Sequence, residues 1–353
     1  MRIAVWWRLL LTNRLRISPS RLHIAIGVSF FSLFNDVGAA IQWAIFGGKI
    51  RRAKVETPPV FILGHWRSGT TLLHELLSMD EQFASPSTYQ CFAPSHHLVS
   101  EWMFTRFGRF LLPEKRPMDN MKAGWELPQE DEFALMNLGA PTPYLRIAFP
   151  HTQDRAMEYF NLERVSADDR AKWASTLDWF MRTLLVRYPG KRLVMKSPPH
   201  TGRVAELARA YPGAKFIHLV RDPRKMFLST IRLWRSLDAI QALQTDVSDD
   251  DMRQYVTDCF KEMYQNFQHD AQALPAGSMV ELRYEDLVAD PSGAIEKLYS
   301  QLELGDFEAM KPALMQRLEN HATYKPNQHN LDAEVEAIIQ REWADYIQQY
   351  GYA

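Results

Sequence analysis

Two cysteines in 353 residues, Cys91 and Cys259, leave no room for a disulfide framework. So few thiols suit a reducing compartment, which points to the cytoplasm. They also cannot build a zinc site unaided, and neither HExxH nor CxxC occurs, so the sequence calls for no metal. Charge of one sign is lacking as well. The 41 Lys and Arg against 42 Asp and Glu give a formal net charge of −1, which provides no global field to draw nucleic acid. Any anion site must come from local placement of Arg and Lys. Internal repeats, low-complexity tracts and a signal-peptide pattern are absent too. Nothing in the pattern fixes an oligomeric state. What is present is an ordinary globular share of apolar residues, 46%, enough for a real core.

The first 57 residues read as a helical extension. Ile24–Phe46 is strongly apolar, but Asn35 and Asp36 fall near its middle, where an ionisable group is costly inside a bilayer. The pattern predicts one or two amphipathic helices that dock on the fold or lie on the inner face of a membrane. Arg14, Arg16, Arg21, Lys49, Arg51 and Arg52 flank the stretch and suit anionic headgroups.

Residues 58–353 read as the main domain. Val60–Leu63, Arg192–Met195, Phe216–Val220 and Met279–Leu282 are short apolar runs that predict four buried strands. Helices are expected at Thr70–Met79, Ala167–Arg187, Thr201–Tyr211, Pro223–Leu237, about Asp251–Ala273 and Ala294–Gln301. Strands alternating with helices imply a parallel sheet with right-handed crossovers. Residues 81–150 are rich in Pro and aromatics and weakly periodic; they read as a helix/loop insertion on the acceptor side, with a plain packing layer as the alternative. The fold class is α/β: a P-loop-like three-layer sandwich around a central parallel sheet.

Three constellations follow strand ends, where ligands bind in such sheets. The first is the loop Gly64-His65-Trp66-Arg67-Ser68-Gly69-Thr70-Thr71. It keeps the glycine spacing and final Thr of the P-loop G-x-x-x-x-G-K-[ST], but Thr70 stands where the lysine belongs. Backbone N–H groups and the helix N-terminus still make an anion nest, while a triphosphate with Mg²⁺ is poorly met. Arg67 supplies a cation instead. The second is Arg221-Asp222-Pro223-Arg224 with Ser229, placed to clamp a second phosphate by a guanidinium fork and a hydroxyl. The competing reading is an Arg221–Asp222 ion pair at a helix start. The third is Lys196, at a strand end where a P-loop hydrolase places its Mg²⁺ aspartate. A cation there neutralises charge developing on the leaving oxygen. Together they fit a nucleotide with a 5′ acidic anhydride and a separate 3′-phosphate.

On these residues the chain resembles the sulfotransferases that use 3′-phosphoadenosine-5′-phosphosulfate (PAPS). The stretches GHWRSGTTLLHELL, PQEDEFALMNLG and KSPPHTGR are similar to its mycobacterial menaquinone-sulfotransferase branch. The resemblance runs from Pro58 to Tyr324. It implies that Arg67, Ser68, Gly69, Thr70 and Thr71 hold the 5′-phosphosulfate, that Arg221 and Ser229 hold the 3′-phosphate, and that Lys196 assists transfer. It further implies that Tyr284 lies near the nucleotide and that Lys325 belongs to a late basic segment closing over the donor. The family's carboxylate base has no counterpart in Ser85-Pro86-Ser87-Thr88-Tyr89. The acidic run Glu130-Asp131-Glu132 is the substitute, or else a helix N-terminal charge cap; His65, His96, His97 and His200 are rivals.

The expected activity is sulfuryl transfer from PAPS to an acceptor hydroxyl. Trp102, Phe104, Phe107, Phe110 and Trp125 in the insertion suggest a lipophilic alcohol, with a carbohydrate or small phenol as alternatives. The competing functions are a P-loop kinase or NTPase, and a non-catalytic nucleotide-binding protein of the membrane surface.

Overall fold

Apolar alternation along the strands explains the layering. The computed structural model describes residues 1–112, 123–152, 156–320 and 333–352. Five parallel strands, β1 (Val60–Leu63), β2 (Phe83–Ala84), β3 (Arg192–Lys196), β4 (Lys215–Val220) and β5 (Met279–Arg283), form one sheet in the order β2-β3-β1-β4-β5. Side chains point alternately to opposite faces of a strand. Phe61, Leu63, Leu193, Met195, Phe216 and Val220 accordingly enter one apolar cluster. Val60, Ile62, Val194, Ile217 and Leu219 enter the other. The helices Ala167–Arg187, Pro223–Gln241 and Asp249–Ala271 cover the first face, and those at Thr70–Leu77, Pro291–Leu302 and Phe307–Asn320 cover the second. Both faces are thus buried, as a parallel sheet requires.

Four strands and their helices stand within a few residues of where the pattern places them. Helix starts are sharpened by caps: Ser166 Oγ accepts the Asp169 N–H at 3.1 Å and Ser248 Oγ accepts the Asp251 N–H at 3.1 Å. Two details differ. The insertion contributes the edge strand β2, whose two residues are too short for any periodicity to show. The turn expected as the start of a helix at Thr201 is 3₁₀ over Pro198–Arg203, and the α-helix begins at Val204.

The N-terminal extension forms α1 (Ile3–Thr12) and one continuous 31-residue helix, α2 (Leu22–Arg52). Both dock on the fold, but α2 is not amphipathic in the expected sense. Its polar residues face inward. Asp36 accepts from Arg2 Nε at 2.6 Å and from the Ile3 N–H at 3.0 Å. Asn35 donates to the Met1 carbonyl and meets His96 Nε2, each at 2.8 Å, and Gln42 Oε1 accepts the Leu98 N–H at 2.8 Å. The mid-helix acid that argued against a membrane span is therefore an anchor for the start of α1.

Among the histidines buried in the fold, burial lowers the pKa of His65, His74 and His97 to about 3 each. They stay neutral in the native state while the unfolded chain takes up protons below about 6.5. Between those values the unfolded state binds more protons, so stability falls as pH falls. Each histidine should remove about 2 kcal/mol between pH 6.5 and pH 5. Urea unfolding at pH 7 and pH 5 checks this; equal midpoints would contradict it.

Candidate active site

The sheet register sets the site. Ile62 pairs with Lys196 of β3, and Leu63 pairs with His218 of β4, so the segments leaving β3, β1 and β4 emerge side by side. Between them the loop from Gly64 turns into the helix α3 (Thr70–Leu77), whose first residues are Thr70 and Thr71. The turn depends on two glycines. At Gly64 (φ +138°) a Cβ would lie 2.7 Å from Ser68 Oγ and 2.8 Å from the Leu219 carbonyl oxygen. At Gly69 (φ +104°) it would lie 2.2 Å from the Tyr284 ring. Arg67 itself adopts φ +69°, a left-handed conformation that costs a non-glycine residue on the order of 1–2 kcal/mol.

That strained residue is gripped from two sides. Arg67 Nε donates to Ser229 Oγ at 2.8 Å, and Arg221 Nη1 donates to the Arg67 carbonyl at 2.7 Å. The Arg221 guanidinium stacks on the Tyr284 ring, 4.0 Å from its centroid. Arg67, Gly69, Arg221, Ser229 and Tyr284 thus form one cluster. The Arg221–Asp222 ion-pair reading does not hold: Asp222 Oδ1 instead caps the following helix by accepting the Arg224 N–H at 2.9 Å. Arg224 in turn reaches Glu336 at 2.9 Å and the Tyr352 carbonyl at 2.7 Å. The Arg221 peptide is pinned by the Tyr346 hydroxyl, which accepts its N–H and donates to its carbonyl, both at 3.0 Å. Lys325 lies outside the described residues. Ser68 Oγ and Arg221 Nε are buried and have no hydrogen-bond partner among the described residues. An anion in the loop would satisfy both, so the residues present fit a doubly acidic nucleotide.

The acidic run separates into three fates. Glu132 makes a fork–fork pair with Arg203 at 3.0 and 3.1 Å and accepts from Thr142 Oγ1 at 2.5 Å; both charged side chains are fully buried. Asp131 meets His200 Nε2 at 2.7 Å, equally buried. Burial alone would raise the Asp131 carboxyl, but the adjoining His200, by charge and hydrogen bond, holds it below its ordinary range. Both carboxylates are thus held by fully buried partners. Glu130, the residue before the helix Asp131–Leu138, makes no side-chain cap bond to that helix. It turns to the strand end, where Lys196 Nζ donates to its Oε1 at 2.8 Å. Lys196 is 2% exposed and Glu130 14%, so the pair is shielded but reachable from the carboxylate side.

Tyr144 completes the group, and no local pattern marks it. Its hydroxyl donates to Glu130 Oε2 and accepts from Trp66 Nε1 at 3.0 Å. Burial and the charge of Glu130 push the phenol well above its ordinary pKa, so it remains a donor. The loop residue Trp66 is therefore wired to the carboxylate. Thr201, also unforeseen, accepts the Gly64 N–H at 2.7 Å. The rival histidines are all occupied in the interior: His65 with the Trp66 carbonyl, His96 with Asn35 and Ser100, His97 with Thr183, and His200 with Asp131.

A model of the sulfotransferase family matches residues 58–309. The omega-hydroxy-beta-dihydromenaquinone-9 sulfotransferases of Mycobacterium bovis and Mycobacterium tuberculosis are each 40% identical over 349 residues, 99% of this chain and 89% of each relative. Among solved structures, a sulfotransferase of Mycobacterium avium superposes with a TM-score of 0.72 at 16% identity, covering 94% of this chain and 86% of that one. A second, from Mycobacterium tuberculosis H37Rv, gives 0.68 at 15% identity, covering 96% and 90%. The solved structures speak for the fold. The family match and the 40% identity along nearly the whole chain establish that this protein belongs to the sulfotransferase family.

Proposed function

We propose that this sulfotransferase takes the sulfuryl group of PAPS to the hydroxyl of a lipophilic alcohol, with Glu130 as the base. The carrying observation is the Lys196–Glu130 pair at 2.8 Å, tied to the donor loop through Tyr144 and Trp66. Arg67 to Thr71 hold the 5′-phosphosulfate, Arg221 and Ser229 the 3′-phosphate, and Tyr284 backs the Arg221 guanidinium. In the reaction the acceptor oxygen bonds to sulfur as the bond from sulfur to the 5′-phosphate oxygen breaks, giving a sulfate ester and adenosine 3′,5′-bisphosphate. Glu130 receives the hydroxyl proton. Tyr144 and Lys196 fix the orientation of its carboxylate. Lys196 also stands where positive charge favours the departing phosphate.

The acceptor class draws support from two sides. The apolar surface around the insertion is extensive, and the mycobacterial relatives are named for an omega-hydroxy dihydromenaquinone. Such an acceptor resides in a membrane, so the enzyme works at a membrane surface. A kinase reading loses its ground with the lysine absent at Thr70.

Glu130→Gln should lower turnover by on the order of 10²–10⁴-fold. Lys196→Ala should lower it by on the order of 10²–10³-fold. Both should leave adenosine 3′,5′-bisphosphate binding in place, measured by calorimetry beside steady-state rates. Unchanged turnover removes the residue concerned from the mechanism. Glu132→Gln should instead cost about 3–5 kcal/mol of stability, because it leaves Arg203 buried without a counter-charge; a urea titration that matches the parent protein overturns the structural assignment. Arg221→Ala should weaken adenosine 3′,5′-bisphosphate roughly 10–100-fold, the worth of a charged hydrogen bond, and adenosine 5′-monophosphate much less. Equal losses for both ligands would sink the clamp.

A further inference from the structure

The helix α2 is built inside out. Asn35, Asp36 and Gln42 bond to the rest of the protein, while most of its large apolar side chains face solvent. Leu22, Ile26, Phe30, Leu33, Val37 and Ile41 recur every three or four residues, so they form one stripe. Ile26 is 69% exposed, Phe30 68% and Val37 61%. From Leu22 to Ile45 the stripe runs about 35 Å. Only 17% of the most apolar stretch of this helix is buried. The neighbouring helix His97–Phe107 meets α2 through the Phe34–Phe104 and Phe34–His96 ring contacts. It carries exposed Trp102, Met103 and Phe107 of its own. A continuous patch of this size marks a binding surface.

Charge selects the partner. Residues 1–54 hold nine Lys and Arg and one acidic residue, Asp36, which Arg2 already neutralises. The other 299 residues hold 32 basic and 41 acidic ones, so the nearly neutral chain is strongly divided. The basic residues cluster at the two ends of the apolar stripe: Arg14 and Arg16 before it, Lys49, Arg51 and Arg52 after it, all exposed. The Arg51 guanidinium lies over the Trp43 ring at 4.9 Å, and Trp43 is itself exposed. Aromatic and basic residues together at the margins of an apolar face are the pattern of an interfacial anchor. A second copy of this chain would bring two strongly positive faces together, which is unfavourable within a Debye length of about 8 Å.

The mode of contact follows from the tethers. Near its start, the Arg21 guanidinium donates to the Ala239 carbonyl at 2.7 Å; at its middle, Asn35 and Gln42 bond to His96 and Leu98. At its end the Arg51 carbonyl accepts from Arg182 at 3.5 Å. A helix held to the fold along its whole length cannot cross a bilayer without dragging the fold with it. We propose that the outer face of α2, continued by the helix His97–Phe107, is a docking surface on which the enzyme lies flat against an anionic lipid bilayer. The inference deepens the lipophilic-acceptor reading and rests on it for its purpose. It also brings the site close to the lipid. Gly139, which ends the helix that Glu130 begins, packs against Val5 of α1, its notional Cβ 2.9 Å from a Val5 methyl. That helix has eight residues and is about 12 Å long, so it links the Glu130 end of the site to α1.

Flotation of the full chain with phosphatidylcholine vesicles, with and without phosphatidylglycerol, tests the surface without any turnover. The parent protein should float with the anionic vesicles and be released by high salt. Ile26→Glu, Phe30→Glu and Val37→Glu together should weaken flotation at least about tenfold. Arg51→Glu with Arg52→Glu, which leaves the apolar stripe intact, should abolish the preference for anionic lipid. The thermal shift on adding adenosine 3′,5′-bisphosphate should match the parent in both variants and so report an intact fold. Failure of the parent to float, or equal flotation of the triple variant, overturns the proposal. So does a dimer in gel filtration that the triple variant separates. Flotation intact with no sulfated lipid formed would remove the acceptor reading and leave the surface standing.

Discussion

Neighbouring parallel strands lie about 4.8 Å apart, and that spacing decides what can meet at their carboxyl ends. With β1 between β3 and β4, the loop at Gly64 is flanked by Lys196 on one side and by Arg221 on the other. The central place of β1 brings these residues, distant from the loop in the chain, to one edge. The cations therefore need no global excess of positive charge. A chain with a net charge of −1 makes a local anion site because topology gathers its arginines and lysine there.

The strained conformation at Arg67 shows how the gathering is used. The loop turns through a left-handed residue whose carbonyl points to Arg221 and whose side chain reaches Ser229. Donor-binding groups are thus mutually braced, and the orientation of each depends on the other. The acceptor side is joined to the same structure by a second line, from Trp66 through Tyr144 to Glu130 and Lys196. A pre-oriented carboxylate costs little reorganisation at the moment of transfer.

The residues expected to hold the donor stand out in the sequence because their patterns are local. Glycine spacing, the Thr in place of lysine and the arginine-to-serine spacing each lie within a few residues, and each carries its own geometry. Which of Glu130, Asp131 and Glu132 faces the strand end was not legible, because the three are chemically alike and adjacent. Only partners distant in the chain, Lys196, His200 and Arg203, separate one partly buried carboxylate from two fully buried ones. Tyr144 has no local pattern at all. In α2 the pattern misled for a different reason: polar residues in an apolar run normally mark the wet face, whereas here Asn35, Asp36 and Gln42 bond to backbone and side chains of the protein itself. The two-residue β2 fell below the length at which alternation can be seen.

The Tyr346 hydroxyl closes both ends of the Arg221 peptide from the helix Ala344–Tyr350. That helix lies beyond residue 309, where the family match stops. A fragment trimmed to the matched region would retain the glycine loop, Lys196, Arg221, Ser229 and Tyr284, yet the Arg221 backbone would lose the hydroxyl that holds its N–H and carbonyl. The length of chain that carries the motifs is thus shorter than the length that makes them rigid.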